Sequence, residues 1–147
     1  MTQEERNLLL KEIGTRIHYE VKILHQGWDD ELSTLERVIG IDGKFIYTKV
    51  INNNGEEYTL SKHTISLYND KIYLFPLSSM TEEQKREYES LCIKETSECT
   101  DLYDIIFSKD YYYDTIESIE WLNANHFDYR GLIPMGLAID ATNKNIY

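Results

Sequence analysis

Apolar and polar positions divide the chain into four zones of different period. Thr2 and Glu5 have the spacing of a capping box, with Leu8, Leu9 and Ile13 forming a narrow apolar stripe and Gly14 placed to stop a short helix. From about Arg16 to Leu77 the period falls to two. Ile17, Tyr19, Val21 and Ile23 alternate with Arg16, His18, Glu20 and Lys22, which predicts a strand with one wet face. Asp42-Gly43 predicts a two-residue hairpin turn, because such turns need positive φ. That turn pairs Ile41 with Lys44, Ile39 with Ile46 and Leu35 with Val50, so Leu35, Ile39, Ile41, Ile46 and Val50 share one face. Val38, Phe45 and Tyr47 share the other, with Phe45 covering Gly40. Asn54-Gly55 and Asn69-Asp70 are further turn signals; around the latter, Ile65 and Leu67 face Ile72 and Leu74.

The third zone is a helix opened by Ser79 with Glu82, or Thr81 with Gln84, and its inner stripe is Tyr88, Leu91 and Cys92. In the fourth, Asp114 to Glu117 start a helix with Ile116, Ile119 and Leu122 on one face and Asn125 as a left-handed stop. A compact tail from Phe127 to Leu137 follows. The expected fold class is α+β: a short N-terminal helix, a curled, barrel-like antiparallel sheet of five or six strands, and a helical C-terminal half packed on it. One domain over 1–147 is expected, with helix plus sheet in 1–77 and a helical, acidic half in 78–147.

Composition sharpens this picture through charge. The chain's net charge of −11 is uneven: residues 78–147 carry six Lys/Arg against fourteen Asp/Glu. Between Glu95 and Glu120 stand eight acids and Lys109 alone. Binding to nucleic acid releases counterions through Lys and Arg, so direct nucleic-acid binding is not expected. Anionic membranes are disfavoured likewise, and no run reaches the roughly 20 apolar residues of a span. The polar, acidic start, Thr2-Gln3-Glu4-Glu5-Arg6, is unlike a secretory signal, and Cys92 and Cys99 make no disulfide framework. A cytoplasmic location is the expectation.

Candidate chemistry is sparse. The chain has no phosphate-binding glycine loop, nucleophile elbow or H-E-x-x-H, and His18, His25, His63 and His126 lack metal-ligand spacing. No cofactor and no metal is expected, and the enzyme reading is disfavoured. Two groups stand out. Asp101, Asp104, Asp110 and Asp114 surround Tyr111, Tyr112 and Tyr113, a pattern suited to a partner rich in Lys or Arg. Tyrosines filling strand positions are the alternative. Asn123, His126, Asp128 and Arg130 form the second group: a base beside a carboxylate, with an arginine for an anionic ligand. The alternative gives them structural work, with Asn125 ending a helix, Asp128 capping a turn and Arg130 pairing with a neighbouring acid.

Two segments carry a resemblance. Tyr73-Leu74-Phe75-Pro76-Leu77-Ser78-Ser79-Met80-Thr81-Glu82-Glu83 and Trp121-Leu122-Asn123-Ala124-Asn125-His126-Phe127-Asp128-Tyr129-Arg130-Gly131-Leu132-Ile133 resemble a group of small proteins encoded by phages and prophages of gut anaerobic bacteria. The shared order is variable strands, a P-x-S-S-M-T-E-E junction, then a W-L-N-x-x-x-F-D-Y-R-G-L-I tail. This chain departs at Phe75, where arginine is common in the group, so a role resting on that charge does not carry over. The resemblance implies a phage origin and no activity. Together with the charge, it leads to the expectation of a non-enzymatic accessory or counter-defence protein that engages a basic protein. A small-molecule or nucleotide binder, or a hydrolase, with its pocket near His126, Asp128 and Arg130 is the alternative, and a structural virion component is a third. The oligomeric state is left open.

Overall fold

The N-terminal helix begins where its caps dictate. Thr2 Oγ1 accepts from the Glu5 N–H at 3.1 Å, and the Glu5 carboxylate accepts from the Thr2 N–H at 2.6 Å. The computed structural model describes residues 1–26, 33–43, 45–64, 70–95 and 111–147, with 63–64, 93–95 and 111–113 as backbone. Its elements are α1 (Gln3–Arg16), β1 (Lys22–Gln26), β2 (Ser33–Asp42), β3 (Phe45–Ile51), β4 (Glu57–Thr64), β5 (Lys71–Pro76), α2 (Glu82–Leu91), β6 (Ile93–Glu95), β7 (Tyr111–Tyr113), α3 (Ile116–Ala124), β8 (Phe127–Asp128) and β9 (Ala138–Asp140). The α+β class expected from the sequence is the observed one. Among the described residues no helix is long and apolar enough to cross a membrane.

The chain divides into two compact units, residues 1–79 with 123–147, and residues 80–122. In the first, a seven-stranded sheet runs β4-β3-β2-β1-β5-β8, with β9 also on β5. It is open rather than closed, and two of its pairings are parallel, β5 with β8 and β5 with β9. Ile23, Val38, Ile46, Ile72 and Leu74 form the core with Leu9 and Ile13 of α1 and with Leu132, Leu137 and Ala138 of the tail. The last 25 residues therefore complete the sheet unit.

Three local expectations are corrected. First, α1 does not stop at Gly14: it continues to Arg16, and a 3-10 turn (Ile17–Tyr19) and left-handed Glu20 precede β1. The buried Glu12–Arg16 pair holds that last turn together, and Ile41 Cδ1 lies 3.8 Å from where a Gly14 Cβ would stand. Second, the β2–β3 register pairs Asp42 with Phe45 and Ile41 with Ile46, then shifts at a bulge between Val38 and Gly40. The extra residue reverses the alternation. Glu36, Val38, Ile46 and Thr48 are consequently buried while Ile39 is exposed, and Tyr47 rather than Phe45 covers Gly40. Third, Ile116 is 77% exposed, and the buried positions of α3 are Ser118, Leu122 and Asn123. The Asn54-Gly55 turn is present, with Gly55 at φ 79° and Asn52 Oδ1 accepting from the N–H groups of Asn54 and Glu56. The Asn69 side of the third turn and Ile65 and Leu67 lie outside the described residues, while β5 pairs with β1, β8 and β9.

In the second unit α2 opens on the Thr81–Gln84 capping box; Ser79 instead donates to the Pro76 carbonyl at 2.7 Å. Thr115 caps α3, its hydroxyl oxygen accepting from the Ser118 N–H at 3.0 Å while donating to the Leu91 carbonyl at 2.7 Å. Tyr88 and Trp121 pack ring to ring at 6.0 Å, and β6 pairs antiparallel with β7.

Candidate functional site

The turn after α3 gathers the second sequence-predicted group. His126, at φ 59°, is the left-handed stop in place of Asn125; its N–H donates to the Asn123 carbonyl at 3.2 Å. The carbonyl of His126 accepts from the Phe75 N–H at 2.9 Å, which anchors the turn to β5. Its ring stacks on Tyr147, with centroids 3.7 Å apart and planes 11° from parallel. Burial first, then the charges of Arg16 and Lys22, push the imidazole down to about 4. Tyr147 is 39% exposed as a residue, yet its hydroxyl is enclosed, donating to the Tyr73 carbonyl and accepting from the Lys22 N–H. That enclosure pushes its phenol up.

Asp128 is a cap. Its two carboxylate oxygens accept from the N–H groups of Leu132 and Ile133 at 2.8 and 2.7 Å, which closes the turn through Gly131. Arg130 turns toward α1, its Nε 2.7 Å from Glu12 Oε2 and its guanidinium 5.1 Å from the centre of the Tyr129 ring. His126, Asp128 and Arg130 each serve the fold, and none of them lines either of the cavities described below. Asn123 is buried beside them, and its Oδ1, like His126 Nδ1, has no hydrogen-bond partner among the described residues.

Arg130 leads to a network that sequence reading missed. Glu12 and Arg16 are both fully buried; Arg16 Nε donates to Glu12 Oε1 at 2.7 Å, and Arg16 Nη2 donates to the Phe127 carbonyl at 2.7 Å. Arg16 also lies over Tyr129, 5.2 Å from its centre. A second missed pair is His25–Asp70, Nδ1 to Oδ1 at 2.7 Å, with Asp70 buried. The Asp70 hydrogen bond raises His25, with nearby Glu36 adding to it against burial. Glu36, buried in β2, accepts from Thr34 and Thr48 at 2.8 and 2.6 Å. Among the described residues no group of three or more His, Cys, Asp or Glu is placed to hold a metal ion.

The first sequence-predicted group falls in the second unit. Asp101, Asp104 and Asp110 lie outside the described residues; Tyr111, Tyr112 and Tyr113 form β7 opposite Glu95, Lys94 and Ile93. Asp114 is exposed, and its carboxylate accepts from the hydroxyls of Tyr88 and Ser118. Residues 80–122 hold twelve acids and four basic residues, so −8 of the chain's −11 sits in this unit. Glu82, Glu83, Glu87, Glu89, Glu117 and Glu120 are exposed.

A groove of about 930 Å³ lies elsewhere in the first unit. Leu24, Leu35 and Ile51 contribute its apolar lining; Glu20, Lys22, Arg37, Glu57 and Tyr58 contribute polar groups. Arg37 and Glu57 make a two-pronged ion pair that holds the Glu57 carboxyl down at about 2. Two of its lining residues, Glu20 and Asn145, are left-handed despite carrying side chains. A smaller cavity of about 170 Å³ adjoins Asp70 and Met135. Compared with protein families, curated proteins and solved structures, the chain matches none.

The missed groups had weak signals. Glu12 and Arg16 stand four apart on a helix, the spacing of an ion pair, but nothing local says that the pair is buried. His25 and Asp70 are 45 positions apart and meet because β5 lies beside β1.

Proposed function

We propose that this is a non-enzymatic binding protein of phage type, an accessory or counter-defence factor, whose acidic unit engages a basic protein in the cytoplasm of the infected cell. The observation that carries this reading is the charge partition: twelve acids against four basic residues in residues 80–122, and −3 over the rest of the chain. A surface with that imbalance attracts cationic partners and repels polyanions. The exposed carboxylates of α2 and α3 extend the acidic stretch beyond the aspartates around the tyrosine run. The phage resemblance supplies the setting.

Reversing Asp101, Asp104, Asp110, Glu117 and Glu120 to Lys tests it, with Asp114 left intact because it holds Tyr88 and Ser118. Pull-down from bacterial lysate with the parent chain is expected to retain basic proteins, in amounts that fall as salt rises. The reversed chain retains at least tenfold less. Equal retention by both chains overturns the reading.

The groove favours a second reading, a small-molecule binder. Its volume falls in the range of ligand sites, and its mixed lining with exposed Tyr58 suits a neutral, hydroxyl-bearing ligand. This moves the small-molecule alternative away from His126, Asp128 and Arg130. Native mass spectrometry of the gently purified chain is expected to show an adduct above 17.4 kDa that Tyr58→Ala and Glu20→Ala remove. An adduct that both variants keep, or none at all, removes this reading.

A further inference from the structure

The ladder between β1 and β5 has two registered pairs, Ile23–Ile72 and Leu24–Lys71. At the next step, Lys22 and Tyr73, the hydroxyl of Tyr147 takes the place of a rung. It accepts from the Lys22 N–H at 3.3 Å and donates to the Tyr73 carbonyl at 2.9 Å. One oxygen thus satisfies a donor and an acceptor of the sheet at once, which a hydroxyl can do. The ring that carries it lies between the face of His126, 3.7 Å away, and the tilted ring of Phe75 at 6.0 Å. The Lys22 ammonium stands 5.3 Å from the centre of the same ring. Together these groups make a slot for a planar ring with a hydroxyl at its inner end.

The segment that delivers Tyr147 is lightly held. Asn143, Lys144 and Asn145 are exposed, and Asn143 and Asn145 are left-handed at φ 62° and 47°, a conformation that side chains disfavour. Among the described residues, 143–146 are fastened by two hydrogen bonds. The Lys144 N–H donates to the Ala141 carbonyl at 3.1 Å, and Lys22 Nζ donates to the Ile146 carbonyl at 2.5 Å. We propose that the slot is a binding site for a small 4-hydroxyphenyl acid, with Tyr147 as its resident competitor. A free ligand ring repeats the stack on His126 and both hydroxyl bonds. When the segment leaves, Lys22 Nζ loses the Ile146 carbonyl. That carbonyl adjoins the Tyr147 amide, so the ammonium already stands beside the Tyr147 Cα, where the carboxylate carbon of such an acid falls. An ion pair then replaces a bond to a neutral carbonyl, which favours a free acid over a tyrosine within a peptide. Lys144, Asn145 and Ile146 also line the groove, so release moves one of its walls, but the slot needs no ligand in the groove.

Titration calorimetry and proton NMR of the full chain test this, with p-cresol, toluene and 4-hydroxyphenylacetate as probes. Tyr147→Ala empties the slot and is expected to bind p-cresol with a Kd of about 1 mM or below. Toluene, which lacks the hydroxyl, binds at least about tenfold more weakly, because the Lys22 N–H and Tyr73 carbonyl stay unpaired. 4-Hydroxyphenylacetate binds about threefold more tightly than p-cresol. In wild type the probe must displace Tyr147, so affinity drops at least about tenfold and the Tyr147 ring resonances leave their stacked positions on saturation. Tyr147→Phe keeps the ring and loses both hydroxyl bonds, so it competes less well and binds p-cresol about tenfold more tightly than wild type. This variant carries the test should Tyr147→Ala fail to fold. A folded Tyr147→Ala chain that ignores p-cresol, or binds toluene equally, overturns the proposal. So do equal affinities of wild type and Tyr147→Phe, weaker binding of the acid than of p-cresol, or Tyr147 resonances that p-cresol does not move.

Discussion

Replacing Glu12 with alanine is expected to cost about 3–5 kcal/mol of folding stability, the range for breaking a buried ion pair by removing one partner. Glu12 is fully buried between two arginines, with Arg16 2.6 Å from one oxygen and Arg130 2.7 Å from the other. The variant takes the carboxylate away from a guanidinium that stays in the interior, on the side of α1 that meets the tail. Chemical denaturation at pH 7 measures the loss as a lower midpoint at unchanged slope. The double variant Glu12→Leu with Arg16→Met separates charge from packing. It removes both buried charges and keeps apolar volume, so it is expected to be more stable than Glu12→Ala by at least about 1 kcal/mol. A Glu12→Ala chain within about 1 kcal/mol of wild type would show that Arg16 does not need this carboxylate. Because Arg16 also donates to the Phe127 carbonyl, the network fastens α1 to the strand that carries the candidate turn, so its loss is felt at β8 as well as in the helix.

How far the sequence disclosed this arrangement depends on the range of each interaction. The helix caps were legible: the Thr2–Glu5 and Thr81–Gln84 boxes form as their spacing implies. Asp128 caps the following turn, as its residue type suggests, whereas the acid that Arg130 meets is Glu12, near the other end of the chain. Features that depend on distant packing were not. Ile39 belongs to an apolar alternation, but a single extra residue at the bulge turns it outward and brings Glu36 in, where Thr34 and Thr48 satisfy its carboxylate. Gly14 looked like a helix stop because glycine often is one, yet here the helix gains a buried ion pair by continuing. The parallel pairing of β9 with β5 joins residues more than sixty positions apart, and only burial of Leu132, Leu137 and Ala138 selects it. For the candidate sites the outcome divides in the same way. Capping roles follow from residue type, whereas the groove is assembled from β1–β4 and the tail and leaves no local trace.

Stability is expected to fall by about 2 kcal/mol between pH 7 and pH 5 through His126 alone. In the unfolded chain a histidine titrates near 6.5, whereas in the fold this one lies near 4, held down by burial and by Arg16 and Lys22. Between those values the unfolded chain takes up a proton that the folded chain refuses, so acid favours unfolding. The contribution is whole above about pH 6.5 and is lost as pH falls toward 4, amounting to about 3 kcal/mol over the full window. His25 works in the opposite sense. Its raised pKa gives stability that is complete below about 6.5 and fades as pH rises through the folded value, so it does not produce the acid limb. Glu57, held at about 2, loses its contribution only as pH drops below its ordinary value of 4.5. Denaturant melts at pH 5 and pH 7 isolate His126 when wild type is compared with a variant at this position, because the opposing His25 contribution is common to both chains. His126→Asn is the informative variant, since asparagine tolerates the left-handed backbone at this position and does not titrate. The variant is less stable at pH 7, having lost the stack on Tyr147, but it is expected to lack the loss of about 2 kcal/mol that wild type suffers through His126 between the two pH values. An acid limb that survives the substitution would assign the pH response to another group and would leave His126 as a packing residue whose protonation the fold tolerates.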